Sequence, residues 1–365
     1  MPNITDLSSQ DIIRTHKISQ TNELGTRINT LQLLRFLAAF TVIITHSGFY
    51  ISERLIPGFI FWSNGARGVD LFFVISGFVM IASTRSFVGT KWDWRRFFIH
   101  RCVRIIPLYW MVTTVKAIIL TVTGAVALHA QFSIGTFLAS ILFFPQYNKD
   151  GNIEPLLGVG WSLNYEMFFY VIFSLALLLR VRPTIFVGLT LVFLSLLPNE
   201  GFTGIASAIF YTNSISLEFL LGMLIAEFGL TARRWPLWGG IGLSAGLISL
   251  YGSWAWADPL PRFITCGVPA MLVVLGAIHL EPLLGKRLPR SILYLGDASY
   301  ALYLVHPLVA PGGPALLAKL GLIQPLVSIF LSLSLALVAG SVVHSLYDQK
   351  ITKWLRGRLI ERGLW

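Results

Sequence analysis

The chain has 365 residues, 55% of them hydrophobic and only 12% charged, with a mean hydropathy of +0.71. A soluble domain carries about twice that charged fraction, and repeated long apolar segments, rather than short alternating strands, exclude a membrane barrel and imply an all-α integral membrane protein. The formal net charge is +11, yet the basic residues fall in short loops between apolar segments, which is the positive-inside signature and not a basic face for nucleic acid.

Residues 1–28 are polar, carry Arg14, Lys17 and Arg27, and lack an apolar core, so a cytoplasmic tail without a cleavable signal peptide is expected. The first span starts near Leu31, ends near Tyr50, and contains Arg35 and His46. Eleven residues at about 100° each make roughly three turns, so both side chains share a helix face about 16 Å apart along the axis. Ionisable groups in a membrane helix usually face a protein interior or a wet cavity. This favours a polar seam over the plainer alternative, in which Arg35 snorkels to a headgroup and His46 closes the helix end.

A second span, Gly68 to Ser83, carries Asp70 at its outer end. It is followed by the most basic loop, with Arg85, Lys91, Arg95, Arg96, Arg101 and Arg104 ahead of Pro107. Tryptophans between those arginines suit an interfacial segment. The third span covers about residues 105–122 and contains Lys116, and the apolar piece 132–144 is too short to cross, so it reads as re-entrant or interfacial. The fourth span starts at WSLNYEMFFY, with Glu166 about one turn inside, and stops at Arg180 and Arg182. Further spans are expected at about 184–198, 208–229, 236–256, 262–280, 292–310 and 323–346, before a basic amphipathic tail over 347–365.

This gives about ten transmembrane helices with both termini cytoplasmic: a tail over 1–28, a multi-span domain over 29–346 and a C-terminal tail over 347–365. In that arrangement only Arg54, Arg67, Lys149, Arg262 and Lys319 of the 28 Lys and Arg fall outside, as the positive-inside rule requires. The two cysteines, Cys102 and Cys266, have neither disulfide nor zinc spacing, and no metal site or bound cofactor is expected. There is no phosphate loop, no HExxH and no GxSxG.

Three groups are candidates for chemistry. His46, Asp70 and Glu166 all lie near the outer ends of their helices, and a histidine oriented by a carboxylate is a serviceable general base. The alternative is that each carboxylate pairs with a cation, Asp70 with Arg67 for example. Arg101 and Arg104, three apart, share a helix face and suit a phosphate clamp, although arginine pairs are also ordinary topology determinants. The third group lies in GDASYALYLVH, with Ser299, Tyr300 and His306, where helix packing is the plainer reading.

Five stretches together resemble the acyltransferase-3 family of membrane O-acyltransferases. They are Arg35-x10-His46, GVDLFFVISGF (68–78), Arg101-x-x-Arg104 followed by IIPLYW, WSLNYEMFFY (161–170) and GDASYALYLVH (296–306). Asn164-Tyr165 ahead of Glu166 resembles the exopolysaccharide-modifying branch. The resemblance implies transfer of a small acyl group, usually acetyl, from cytoplasmic acyl-CoA to a sugar hydroxyl in the bacterial inner membrane. The acceptor would be exopolysaccharide, lipopolysaccharide or a related glycan. On that reading His46 is the base, Asp70 or Glu166 orients it, and Arg35, Arg101 and Arg104 receive the CoA. Trp161, Ser299, Tyr300 and His306 shape the substrate site. A transporter or flippase of a lipid-linked sugar would share the polar seam, but it predicts internal symmetry, and no repeat is visible.

Overall fold

The computed structural model describes residues 27–84, 93–123, 132–198, 202, 204–228, 235–252 and 260–361. The expected N-terminal tail through residue 26, the basic-loop residues Arg85 and Lys91, and the last four residues of the C-terminal tail lie outside them. Among the described residues the chain is all-helical, apart from one isolated bridge between Tyr147 and Ile153.

The helices are α1 (Asn29–Arg54), α2 (Gly68–Thr84), α3 (Asp93–Thr123), α4 (Ile134–Ile141), α5 (Trp161–Leu178), α6 (Pro183–Ser195) and α7 (Ala206–Tyr211). They continue with α8 (Leu217–Phe228), α9 (Pro236–Tyr251), α10 (Val268–Leu284), α11 (Arg290–Val309), α12 (Gly312–Lys319), α13 (Pro325–Val343) and α14 (Gln349–Glu361). Among the described residues, seven helical stretches are long and apolar enough to cross a membrane: Asn29–Arg54, Ser63–Thr84, Asp93–Val122, Gly158–Leu178, Phe263–Arg287, Arg290–Lys319 and Pro325–Glu361. The other three expected spans are shorter helices in the described residues, α6 with 13 residues, α8 with 12 and α9 with 16. At 1.5 Å per residue these fall short of a hydrocarbon core about 30 Å thick. The piece expected to be too short to cross contains only the eight-residue α4, which opens with a Ser133–Thr136 capping box.

The core holds large side chains such as Phe73, Phe169, Phe173 and Tyr170, but at some helix contacts small residues face inward, as bilayer packing favours. In α13 the buried positions are Ser328, Ser332, Ala336 and Gly340, one per turn, while Leu326, Phe330 and Val338 are exposed. This stripe seats α13 against α11 and α1. Small residues likewise let α2 and α8 approach: a Cβ on Gly222 would run into the Val74 carbonyl, and one on Gly77 into that of Phe219. The start of α1 lacks a side-chain cap of its own. Glu281 of α10 supplies one, accepting from the Asn29 and Thr30 backbone N–H groups at 3.0 and 2.8 Å, where the helix dipole favours an anion. The helices that carry the candidate residues, α1, α2, α3, α5 and α11, therefore belong to one interlocked bundle.

Candidate active site

His46 lies eight residues before the end of α1, and its imidazole meets that of His306 in α11. The rings are stacked with centroids 5.0 Å apart and planes at 25°, and His46 Nδ1 is 2.9 Å from His306 Nε2. Pro307, next to His306, has no N–H to continue the helical ladder, and His306 Nδ1 turns back to the Leu302 carbonyl at 3.2 Å. A carbonyl only accepts, so His306 Nδ1 carries the proton, and in the neutral ring its Nε2 is an acceptor. The donor to that Nε2 is His46 Nδ1–H. These two bonds assign the tautomers: His46 holds its proton on Nδ1 and keeps a lone pair on Nε2.

His46 lines a cavity of about 650 Å³ with Phe49, Tyr50 and Arg54 of α1, Lys116 of α3, Glu154 and Trp161. The Tyr50 ring stacks near His46 with centroids 6.3 Å apart, and Trp161 is held edge-on by Phe73 and Tyr165. This size is within the roughly 300–1,000 Å³ of small-molecule sites.

The expected meeting of His46, Asp70 and Glu166 does not occur in the contacts of the described residues. Asp70 is fully buried and accepts twice from Arg262, from Nε at 3.1 Å and Nη2 at 2.9 Å. The cation proposed for it from sequence, Arg67, instead donates to the Leu250 carbonyl. Glu166 accepts from Ser76 at 3.0 Å and from the Tyr170 hydroxyl one turn on. Asp70 sits at the start of its helix as expected, whereas Glu166 lies level with Ser76 midway along α2, and each carboxylate is taken by another donor.

Glu166 belongs to a second polar layer. Arg35 is within electrostatic reach of Arg104, Asp297, Glu166 and Tyr170, and Arg101 of Tyr170, Arg104 and Glu166. Arg101 is buried, donates to Ser83 Oγ, and lies over the Phe97 and Tyr170 rings at 5.5 and 5.9 Å. The structure thus gathers the three expected arginines, with Glu166 among them. The Tyr300 hydroxyl donates to the Ile105 carbonyl at 2.7 Å and ties α11 to α3. Ser299 is fully buried. Neither of these two residues lines the His46 cavity, whereas Trp161 does.

The profile of a protein family described as an acyltransferase domain matches residues 28–346. The chain belongs to the acyltransferase-3 family. It is an integral membrane acyltransferase, and its five motif stretches all fall within the matched region. It is 34% identical over 317 residues to the exopolysaccharide production protein ExoZ of Rhizobium meliloti (strain 1021), covering 82% of this chain and 93% of that protein. It is 23% identical over 373 residues to the acyltransferase MdmB of Streptomyces mycarofaciens, covering 91% of this chain and 93% of that one. YrhL of Bacillus subtilis (strain 168), whose name assigns it to peptidoglycan O-acetylation, is 26% identical over 312 residues, 75% of this chain and 47% of YrhL. No solved structure matches the chain significantly.

Within this family member, sequence reasoning missed the pairing of His46 with His306. Both histidines were visible as candidates, but 260 residues separate them. A histidine ahead of a proline also reads as a helix end.

Proposed function

We propose that this acyltransferase moves an acetyl group, or another small acyl group, from cytoplasmic acyl-CoA to a hydroxyl of a surface or exported carbohydrate. The reaction would take place in the bacterial inner membrane. The observation that carries the reading is the His46–His306 pair, which leaves a basic nitrogen on a residue lining a cavity. Arg101 and Arg104, with Arg35 behind them, offer the cationic layer that CoA phosphates need. The basic balance of the loops supports a cytoplasmic side for that layer.

In the chemical step His46 Nε2 takes the proton of the acceptor hydroxyl as its oxygen attacks the thioester carbonyl. A new C–O ester bond forms and the C–S bond breaks. The proton passes from His46 to the departing thiolate, giving free CoA and an O-acyl glycan. When His46 carries two protons its Nδ1–H becomes a stronger donor, and the Nε2 lone pair of His306 is already in place to receive it. His306 is therefore a positioning residue that fixes the tautomer and steadies the cation.

The test uses the full chain in proteoliposomes supplied with radiolabelled acetyl-CoA and cell-envelope polysaccharide. Wild type is expected to place label in an alkali-labile carbohydrate fraction, and His46→Ala to lose it by 10²-fold or more. Equal labelling by both proteins would overturn the role of His46. Labelling that acetyl-CoA does not support would overturn the donor.

A further inference from the structure

Two adjoining cavities of about 680 and 650 Å³ lie between α3 and α14, sharing Cys102, Val103 and Leu355 with each other and no residue with the His46 cavity. Together they form one groove that follows α3 from Phe98 to Val115, with Tyr347, Ile351 and Leu359 on the facing wall. That is about 25 Å of helix, close to the roughly 20 Å of one bilayer leaflet from headgroup to midplane. Polar atoms along it are turned to backbone: Trp110 Nε1 donates to the Ile141 carbonyl at 2.8 Å and the Tyr347 hydroxyl to the Pro107 carbonyl at 3.4 Å. A glycan would find few groups to bond there, whereas a hydrocarbon chain makes dispersion contacts with every wall.

The groove has an apolar end and a charged end. The continuous helical stretch Pro325–Glu361 is about 55 Å long, against a hydrocarbon core about 30 Å thick. The 19 residues of α13 match that core by themselves, so α14, with Lys350, Lys353 and Arg358, extends past it into the headgroup layer. On α3, Arg95, Arg96, Arg101 and Arg104 all precede residue 105, and Lys116 is the one charge from there to Thr123. Arg358 lines the charged end and lies 5.7 Å over the Trp354 ring, a pairing at home at a membrane interface. Its contact with Glu361 is 3.9 Å long between two exposed side chains, and such a surface pair is worth little.

We infer that this groove binds an anionic phospholipid, with an acyl chain along Ile106, Met111 and Ile351 and the phosphate headgroup at Arg358 beside Trp354. Lys350 and Lys353, both exposed on the same helix, add to the positive potential there and favour an anionic headgroup over a zwitterionic one. The bound lipid joins α14 to α3 and braces α3 from behind the turn that carries Arg101, whose guanidinium faces Tyr170.

Photocrosslinking to the detergent-solubilised full chain, without acetyl-CoA, tests the site apart from the transfer reaction. The probes are phosphatidylglycerol and phosphatidylcholine with the same diazirine-bearing acyl chain, and crosslinked peptides are mapped by mass spectrometry. Wild type is expected to crosslink within residues 98–115 and 347–359, and with phosphatidylglycerol at about fivefold lower lipid concentration, the worth of one basic residue at an anionic surface. Arg358→Gln, at an exposed position, should lose that preference and keep the chain crosslinks. Leu355→Trp, which fills the junction of the two cavities, should lose crosslinking with both lipids, with thermal melting to verify that it folds. Crosslinks spread evenly over other lipid-facing helices such as α13, equal use of the two lipids by wild type, or an undiminished preference in Arg358→Gln would overturn the proposal. So would displacement of the probe more readily by a polyprenyl diphosphate than by unlabelled phosphatidylglycerol.

Discussion

Asp70 and Arg262, 192 residues apart, are joined by two hydrogen bonds of 3.1 and 2.9 Å. The Asp70 side chain has no exposure, whereas the Arg262 side chain is 41% exposed. Glu218 is also fully buried, and its carboxylate feels both Asp70 and Arg262. The guanidinium, just ahead of α10, thus grips the buried Asp70 of α2, while both Glu218 oxygens on α8 lack a hydrogen-bond partner among the described residues.

Removing that guanidinium should destabilise the bundle more than neutralising the acid it grips. Loss of one partner of a fully buried pair costs about 3–5 kcal/mol, and the exposure of Arg262 puts Arg262→Leu below that range. Thermal melting in detergent should show a clear loss for Arg262→Leu and a smaller one for Asp70→Asn, with the double variant recovering part of the Arg262→Leu deficit. A double variant that is merely the sum of the two singles would mean that the pair is not coupled.

His306 should matter to rate and not to donor affinity. His306→Phe keeps a ring beside His46 but removes the acceptor for its Nδ1–H, so either tautomer of His46 becomes available. Turnover is expected to fall about 10²–10⁴-fold, the range that a correctly held general base supplies. KM for acetyl-CoA should change little. His306→Gln, whose amide oxygen also accepts, should keep more turnover than His306→Phe. Equal turnover in all three proteins would deny His306 a positioning role.

The sequence made the apolar spans, the shared face of Arg35 and His46, and the arginine pair legible, because each depends on local spacing. Partner choice was not legible. Asp70 had Arg67 one turn away, and only the docking of residue 262 beside α2 decides for Arg262. His46 had two carboxylates expected at similar depth, and the packing of α11 against α1 decides for His306. The lengths of α6, α8 and α9 were hidden as well, since hydropathy reports how apolar a segment is and not where its helix starts and stops.

The two arginines of the pair should separate in their effects. Arg101 is buried over Phe97 and Tyr170 and bonded to Ser83, so Arg101→Gln is expected to lower both melting temperature and acetyl-CoA affinity. Arg104 is less enclosed. Arg104→Gln should leave melting nearly unchanged and raise KM for acetyl-CoA about tenfold to a hundredfold, the worth of one charge-assisted contact to phosphate. An unchanged KM in Arg104→Gln would remove that arginine from the donor site.

The crossing of α2 and α8 gives a test of the bundle itself. A Cβ on Gly222 meets the backbone carbonyl of Val74, which cannot move aside as a side-chain tip would. Gly222→Ala should therefore force the helices apart, at about 1–3 kcal/mol for overpacking. Gly240 in α9 has nothing within 4 Å of its Cβ position, so Gly240→Ala should be neutral or stabilise by up to about 1 kcal/mol through helix propensity. The same chemical change at two helical glycines thus has opposite expected signs, read as shifts in melting temperature. Because α2 carries Asp70 and Ser76, the latter bonded to Glu166, separation at Gly222 should also slow turnover, whereas Gly240→Ala should leave it intact.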